Sequence, residues 1–212
     1  MKRRVERDRQ AGKPTPTERG YAVLSYDTFG PIEVKPEKGA NWAPQGKPDL
    51  VPSTYHRTEG VRHLHAAYDL SEDKMYGHMK PRKTHVEFLG FLKYLRSLYP
   101  ILVLLYVILD NASAHTVTRV LEYARRHRIR LVFTPTNASW LNPIEPHFTP
   151  LRRFVISNSN PRSHEEIATN IRRYIAWRNR HHPEQSPPRK RTRKEKKPRL
   201  CRKCGIIILE EH

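Results

Sequence analysis

The segment ILVLLYVILDNASAH, residues 101–115, decides the reading of the fold. Residues 101–109 are all aliphatic or aromatic, a run that suits a central strand buried on both faces and parallel to a neighbour. The run stops on Asp110. HTVTRVLEYARRHR, residues 115–128, then brings Val117, Val120, Leu121 and Ala124 to one helical face, and IRLVFTP supplies a further strand broken at Pro135. Strand, helix and strand in succession point to a parallel α/β unit.

Outward from this unit, YAVLSYD, residues 21–27, is a β-rich run ending on Asp27, followed by a Pro- and Gly-rich stretch in which IEVK alternates like a short strand. VRHLHAAYDL, residues 61–70, and MYGHMK, residues 75–80, read as a hairpin across SEDK. THVEFLGFLKYLRSLYP places Val86, Leu89, Leu92, Leu95 and Leu98 at helical spacing, opened by Thr84 and closed by Pro100. Downstream, NASWLNPIEPHFTPLRRFV is a Pro-rich loop entering a helix, with Pro143 in its first turn and Glu145 close to its start. SHEEIATNIRRYIAWRNRHH is a final helix capped by Ser163 and Glu166. Strands first and alternating strands and helices after them predict one α/β domain of roughly 160 residues with a mixed sheet.

The 212 residues carry 40 Lys and Arg against 21 Asp and Glu, a formal charge of +19, which points to a polyanionic partner, nucleic acid first. Residues 187–212 hold ten Lys/Arg and three Glu and read as a disordered basic tail, while residues 1–186 remain at +12, so the folded part is itself basic. The expected organisation is a basic arm over 1–20, the domain over 21–182 and the tail over 183–212. The apolar run ending at Leu109 is too short to span a bilayer, and the charged N-terminus is no secretory signal. Two cysteines exclude a disulfide scaffold and fit a reducing cytoplasm. Cys201 and Cys204 resemble half of a zinc site, with His181, His182 or His212 as the remaining donors, or are a chance pair.

Asp27 and Asp110 both close strands, where open α/β sheets gather functional groups, and Glu145 starts a helix facing the sheet. Three carboxylates converging from separate segments bind hard divalent cations, and a pair of such ions stabilises the attacking and leaving oxygens of phosphoryl transfer. Each also has a plainer reading as a turn, cap or helix-dipole residue. Lys80, Arg82 and Lys83 before one helix, and Arg152, Arg153, Arg172 and Arg173 on the late helices, are candidate phosphate contacts or solvated faces. His63 and His65 share a strand face and read as surface or DNA-facing groups. Trp140 and Asn142 shape the loop before Glu145, and Trp140 can stack on an unpaired base.

The words LDNASAH, TPTNASWLNPIE and IRRYIAWRN, with thirty-four residues between Asp110 and Glu145, resemble a DDE transposase of the mariner-like group of bacterial insertion sequences. The likeness extends through YDTFGPIEVKP and MYGHMKPRKTH and covers roughly residues 20–180. It implies an RNase H-like fold, a mixed five-stranded sheet flanked by helices. It implies that Asp27, Asp110 and Glu145 are the catalytic, metal-binding triad, loaded with two Mg²⁺ or with Mn²⁺ in their place. It also implies hydrolysis of phosphodiesters at transposon ends, then strand transfer into double-stranded DNA. Asn111 and His115 match the family's Asp-Asn…His segment; they orient Asp110 or approach the phosphate, or they cap the following helix. Thr28 stands where the group often has Glu after the first aspartate.

About 20 residues precede Tyr21, too few for the helix-turn-helix modules of full-length relatives. The resemblance therefore implies a catalytic half whose end recognition comes from a separate helix-turn-helix polypeptide encoded by an upstream frame. A homodimer on DNA is expected because two ends must be held together, in a cytoplasmic, DNA-associated bacterial protein. The rival expectations are a DNA-binding remnant without turnover and an RNase H-like nuclease acting on RNA.

Overall fold

The computed structural model describes residues 20–38, 45–47, 60–135, 142–185, 199–200 and 207–208, with backbone alone for 182–185 and the last two pairs. The arm before Gly20, Trp140, His212, Cys201 and Cys204 lie outside the described residues.

β1 (Tyr21–Glu33), β2 (Val61–Asp69) and β3 (Lys74–Lys80) form an antiparallel meander, and β4 (Leu104–Leu109) and β5 (Ile129–Phe133) run parallel to β1 in one sheet of order β3-β2-β1-β4-β5. Helix α1 (His85–Ser97) precedes β4, a 3₁₀ turn (Ser113–His115) and α2 (Thr118–Arg126) link β4 to β5, and α3 (Glu145–Leu151) and α4 (His164–Gln185) follow. β6 (Arg199–Leu200) and β7 (Ile207–Ile208) pair with each other, apart from this sheet.

Strand alternation divides the core between the two faces. Ala22, Leu24 and Tyr26 of β1 join Leu105, Val107 and Leu109 of β4 beneath α1 and α2. Val23 packs on the other face with Leu64, Tyr68, Ile144, Leu151, Ile167 and Ile171 beneath α3 and α4. Thr84 caps α1 by accepting from Val86 N at 3.3 Å, and Ser163 caps α4 by accepting from Glu166 N at 3.2 Å. Glu166 closes the second box on Arg162 N, at 2.8 Å.

Several boundaries depart from the expectation. Ile101 and Leu102 are exposed in a turn, and β4 begins only at Leu104, because buried Arg96 gathers the carbonyls of Tyr99, Pro100 and Val103 and holds this segment as a bend. The buried stripe of α1 is Phe88, Phe91, Leu92 and Leu95, since its larger rings fill the space over β1; Val86 and Leu98 face solvent. Leu121 of α2 is likewise exposed. Pro143 precedes α3 and Pro146 occupies its first turn, as suits a residue with no N–H to offer. Pro150 interrupts the ladder further on, and the helix widens into a π turn over Arg152–Ile156. His65 is no surface group: it is buried, and is held by Tyr26 and by the main chain of Arg82. Among the described residues no helix is long and apolar enough to cross a membrane.

Candidate active site

β1 does not end at Asp27. It runs on to Glu33 through an irregularity between Phe29 and Ile32, but its pairing with β4 stops at Ser25 opposite Ile108. Two residues further in the same register, Asp27 stands level with Asp110 where the parallel half of the sheet opens. The alternation that sends Val23 to the α3 side sends the Asp27 carboxylate there too.

Glu145, the first residue of α3, reaches this edge because its loop is bolted to β1. The Ser25 hydroxyl donates to the side-chain oxygen of Asn142 and accepts from Ile144 N at 3.0 Å. Asn142 donates through Nδ2 to the carbonyl of Tyr26 at 2.9 Å. Buried Asn142 therefore acts as a strut between the strand of the first aspartate and the helix of the glutamate. Ser25 was not singled out in sequence; its signal is a small polar residue on an apolar strand two positions before Asp27.

Asp27 is partly buried and accepts from Thr28 N at 2.6 Å. Burial, and then the negative charges of Asp110 and Glu145, push its carboxyl up to about 6, against the opposing pull of that hydrogen bond and of Lys83. Asp110 is the reverse case. His115 Nδ1 lies 2.9 Å from its Oδ1, and that hydrogen bond holds the carboxyl below its ordinary range. His115 is buried between Tyr26 and Phe88, ring centroids 5.4 and 4.4 Å away. Asn111 faces elsewhere: its Nδ2 donates to Thr134 O at 2.7 Å and ties the end of β4 to that of β5.

Behind the carboxylates runs a polar relay. His65 Nε2 lies 3.0 Å from the carbonyl of Arg82, which can only accept, so Nε2 bears the proton and Nδ1 accepts from the Tyr26 hydroxyl at 2.7 Å. Burial lowers the His65 pKa, in keeping with this neutral tautomer. The relay anchors the loop that carries Lys83, whose charge is felt by both Asp27 and Asp110.

The other predicted cations are spread out. Lys80 and Arg172 line a cavity of about 320 Å³ with Arg62 and His78, though Arg172 is paired with Glu165 at 2.8 Å. Arg82, Arg152, Arg153 and Arg173 are exposed. The IRRYIAWRN motif also has a buried half. Arg178 pairs with Asp73 at 2.6 Å and lies over the Tyr68 ring, and the Asn179 carboxamide exchanges hydrogen bonds with Met75 N and O, both at 2.7 Å. A basic residue on the apolar stripe of the last helix was the sequence signal for this staple.

Among the described residues no three His, Cys, Asp or Glu side chains stand close enough, as placed, to share one metal ion. The donor set nevertheless suits a divalent cation: three carboxylates, one raised to about 6 by burial and then by its neighbours' charge, are the hard oxygen ligands such an ion neutralises.

Residues 22–168 match the family described as DDE superfamily endonuclease. No curated protein matches the sequence. Among solved structures the chain is similar to the Mos1 transposase paired-end complex with left transposon end, at 16% identity and a TM-score of 0.55, covering 82% of this chain and 54% of that one. It is also similar to the Mos1 strand transfer complex, at 15% identity and TM-score 0.54, covering 85% and 56%. A third match is the simian T-cell lymphotropic virus intasome with the PP2A regulatory subunit B56 gamma, at 14% identity and TM-score 0.50, covering 79% and 56%. The likeness is one of fold, RNase H-like, and the chain spans about half the length of the structures it matches.

Proposed function

The chain belongs to the DDE superfamily endonuclease family, and on that premise we propose that it is the metal-dependent catalytic domain of a DNA transposase of the mariner-like bacterial group. Its substrate is double-stranded DNA, on which it hydrolyses phosphodiesters at transposon ends and joins the freed 3′-hydroxyl to a target strand. The observation that carries this reading is the meeting of three carboxylate charges at Asp27 within a protein of net charge +19.

Asp27, Asp110 and Glu145 would hold the two Mg²⁺, or Mn²⁺ in their place. Bound there, the ions supply an activated water and neutralise charge at the scissile phosphate, so no protein side chain is needed as general base. His115 keeps Asp110 ionised and oriented. Asn142 and Ser25 fix the start of α3 against β1. Lys83, beside the two aspartates, meets the substrate phosphate and holds part of its charge. The basic surface and tail attract the DNA backbone irrespective of sequence. We further infer a basic arm over 1–20, a catalytic domain over 21–182 and a basic tail over 183–212, acting as a homodimer on DNA with a helix-turn-helix polypeptide that supplies end recognition.

The test is nicking of a supercoiled plasmid that carries the DNA flanking the gene, with Mg²⁺ and any helix-turn-helix partner from the adjoining frame. Asp110→Ala should abolish nicking; equal activity of variant and wild type overturns the proposal. A second reading, DNA binding without turnover, is favoured by one observation: no three candidate ligands stand together among the described residues. Calorimetry of Mg²⁺ binding to wild type and Glu145→Ala separates the two, because the second reading requires no difference.

A further inference from the structure

The outer face of α4 carries a run of rings. Phe154, on the widened turn after α3, is 69% exposed, and Trp177, midway along α4, is 45% exposed. Phe154 stacks on Tyr174 with centroids 6.0 Å and planes 21° apart, and meets Trp177 at 6.2 Å. Trp177 lies 6.2 Å from Tyr174 and stacks on His181 at 5.5 Å and 27°. Tyr174 packs partly against the core, but the core does not need the exposed rings of Phe154 and Trp177, because α4 packs on the sheet through Ile167, Ile171, Ile175 and Arg178. Single exposed aromatics are ordinary, whereas contiguous ones mark a contact surface.

Charge says what the surface contacts. Arg173 lies four residues before Trp177 and Arg180 three after, so both flank its ring on the helix surface, and both are exposed. No ion pair among the described residues engages either. A second copy docked symmetrically here would set these arginines against themselves, on a chain of net charge +19. Beyond α4 the chain continues into residues 187–212, with ten Lys/Arg against three Glu. The occupant is therefore polyanionic and offers flat π faces. Unpaired nucleic-acid bases on their phosphate backbone meet both conditions; duplex DNA buries those faces in its own stack.

We propose that Phe154, Tyr174 and Trp177, flanked by Arg173 and Arg180, form a binding strip for single-stranded DNA, with bases stacked on the rings and phosphates on the guanidinium groups. This rests on DNA being the substrate class proposed above, and adds a place where a separated strand is held during the reaction.

The experiment uses the full chain in EDTA, so that cleavage plays no part, and compares binding of labelled oligothymidylate, an abasic strand of equal length and a duplex. Trp177→Ala should weaken oligothymidylate binding roughly tenfold or more, the loss of one base stacked on a ring, while abasic strand and duplex change less than about twofold. Trp177→Phe should restore most of the loss. Arg173→Ala should weaken all three polymers and reduce the salt slope by about one. Phe154→Ala is an independent second variant, and unchanged thermal melts exclude misfolding for either exposed site. Unchanged oligothymidylate binding, or an equal loss on all three polymers, overturns the strip. So does a shift of Trp177→Ala from dimer to monomer with strand binding intact, which makes the face an interface between copies. Duplex binding without oligothymidylate binding sinks this inference alone; no DNA binding of any kind sinks the proposed function with it.

Discussion

The side-chain amide of Asn142 donates to the main-chain carbonyl of Tyr26 across 2.9 Å, joining the residue three before Glu145 to the residue one before Asp27. Two carboxylates distant in sequence thus share one short mechanical connection, closed from the other side by the Ser25 hydroxyl.

Asn142→Ala removes the strut and leaves the Ser25 hydroxyl and the Tyr26 carbonyl short of a buried partner, at a stability cost of about 1–3 kcal/mol. The larger effect should be on turnover. A displacement of Glu145 by about 1 Å is expected to lower kcat roughly 100-fold with little change in KM for DNA. Steady-state nicking assays and a thermal melt on the same preparation read both quantities; a change in stability without a change in kcat would leave Asn142 a purely structural residue.

Asp27 gives the metal-free protein a defined pH dependence. Its folded pKa, about 6, lies above its ordinary value of 3.8, so the folded state binds this proton more tightly than the unfolded chain does. Stability from this group is complete below about pH 4 and is lost as pH rises through about 6. Asp27→Asn should therefore raise the melting temperature of the metal-free protein above pH 6 and leave it unchanged near pH 4. Mg²⁺ competes with the same proton, so its stabilisation of the wild type should be large at pH 7.5, small at pH 5, and absent in Asp27→Asn.

His115 should set the acid limb of the activity profile. Its hydrogen bond, and its charge when protonated, hold the Asp110 carboxyl below the ordinary range. In His115→Gln that hold is weakened, Asp110 takes up its proton at higher pH, and the acid limb of kcat moves upward. The sign follows from the depressed pKa: the ionised state is favoured above the ordinary carboxylate value and lost as pH falls through the folded one. A pH–rate profile of the variant superimposing on that of the wild type would show that the pairing has no catalytic consequence.

Arg178→Ala should be among the more damaging single changes distant from the carboxylates. It removes the buried counter-charge of Asp73 and the cation over Tyr68, and with them the clamp between α4 and the β2–β3 turn. Breaking a buried pair from one side costs about 3–5 kcal/mol. Chemical denaturation should show that loss, and Arg178→Met, which keeps the packing, should recover only part of it.

Much of this was legible in the sequence, and the remainder was hidden for identifiable reasons. Apolar runs and helical periodicity located every strand of the main sheet and the long helices, because burial writes itself into spacing. They failed at Ile101 and Leu102, where a buried arginine on another helix, not local hydrophobicity, decides where β4 begins. They placed Asp27 at the end of a strand because a turn-rich stretch follows it; β1 in fact continues, paired on one side only. Spacing marked Glu145 but not what holds it, since Ser25 and Asn142 lie 117 residues apart. His65 read as a surface residue because a buried imidazole is revealed only by its partners, here Tyr26 and a carbonyl from a later loop.

The carboxamide of Asn179 bears on a hazard unrelated to catalysis. β3 is the edge strand of the sheet, and a free edge is a template on which another chain can polymerise. By giving to Met75 O and taking from Met75 N, Asn179 acts as a one-residue false strand that occupies the rung an intruder would need. A chain of net charge +19, drawn to polyanions, thus carries in its last long helix a guard against aggregation along its own sheet edge.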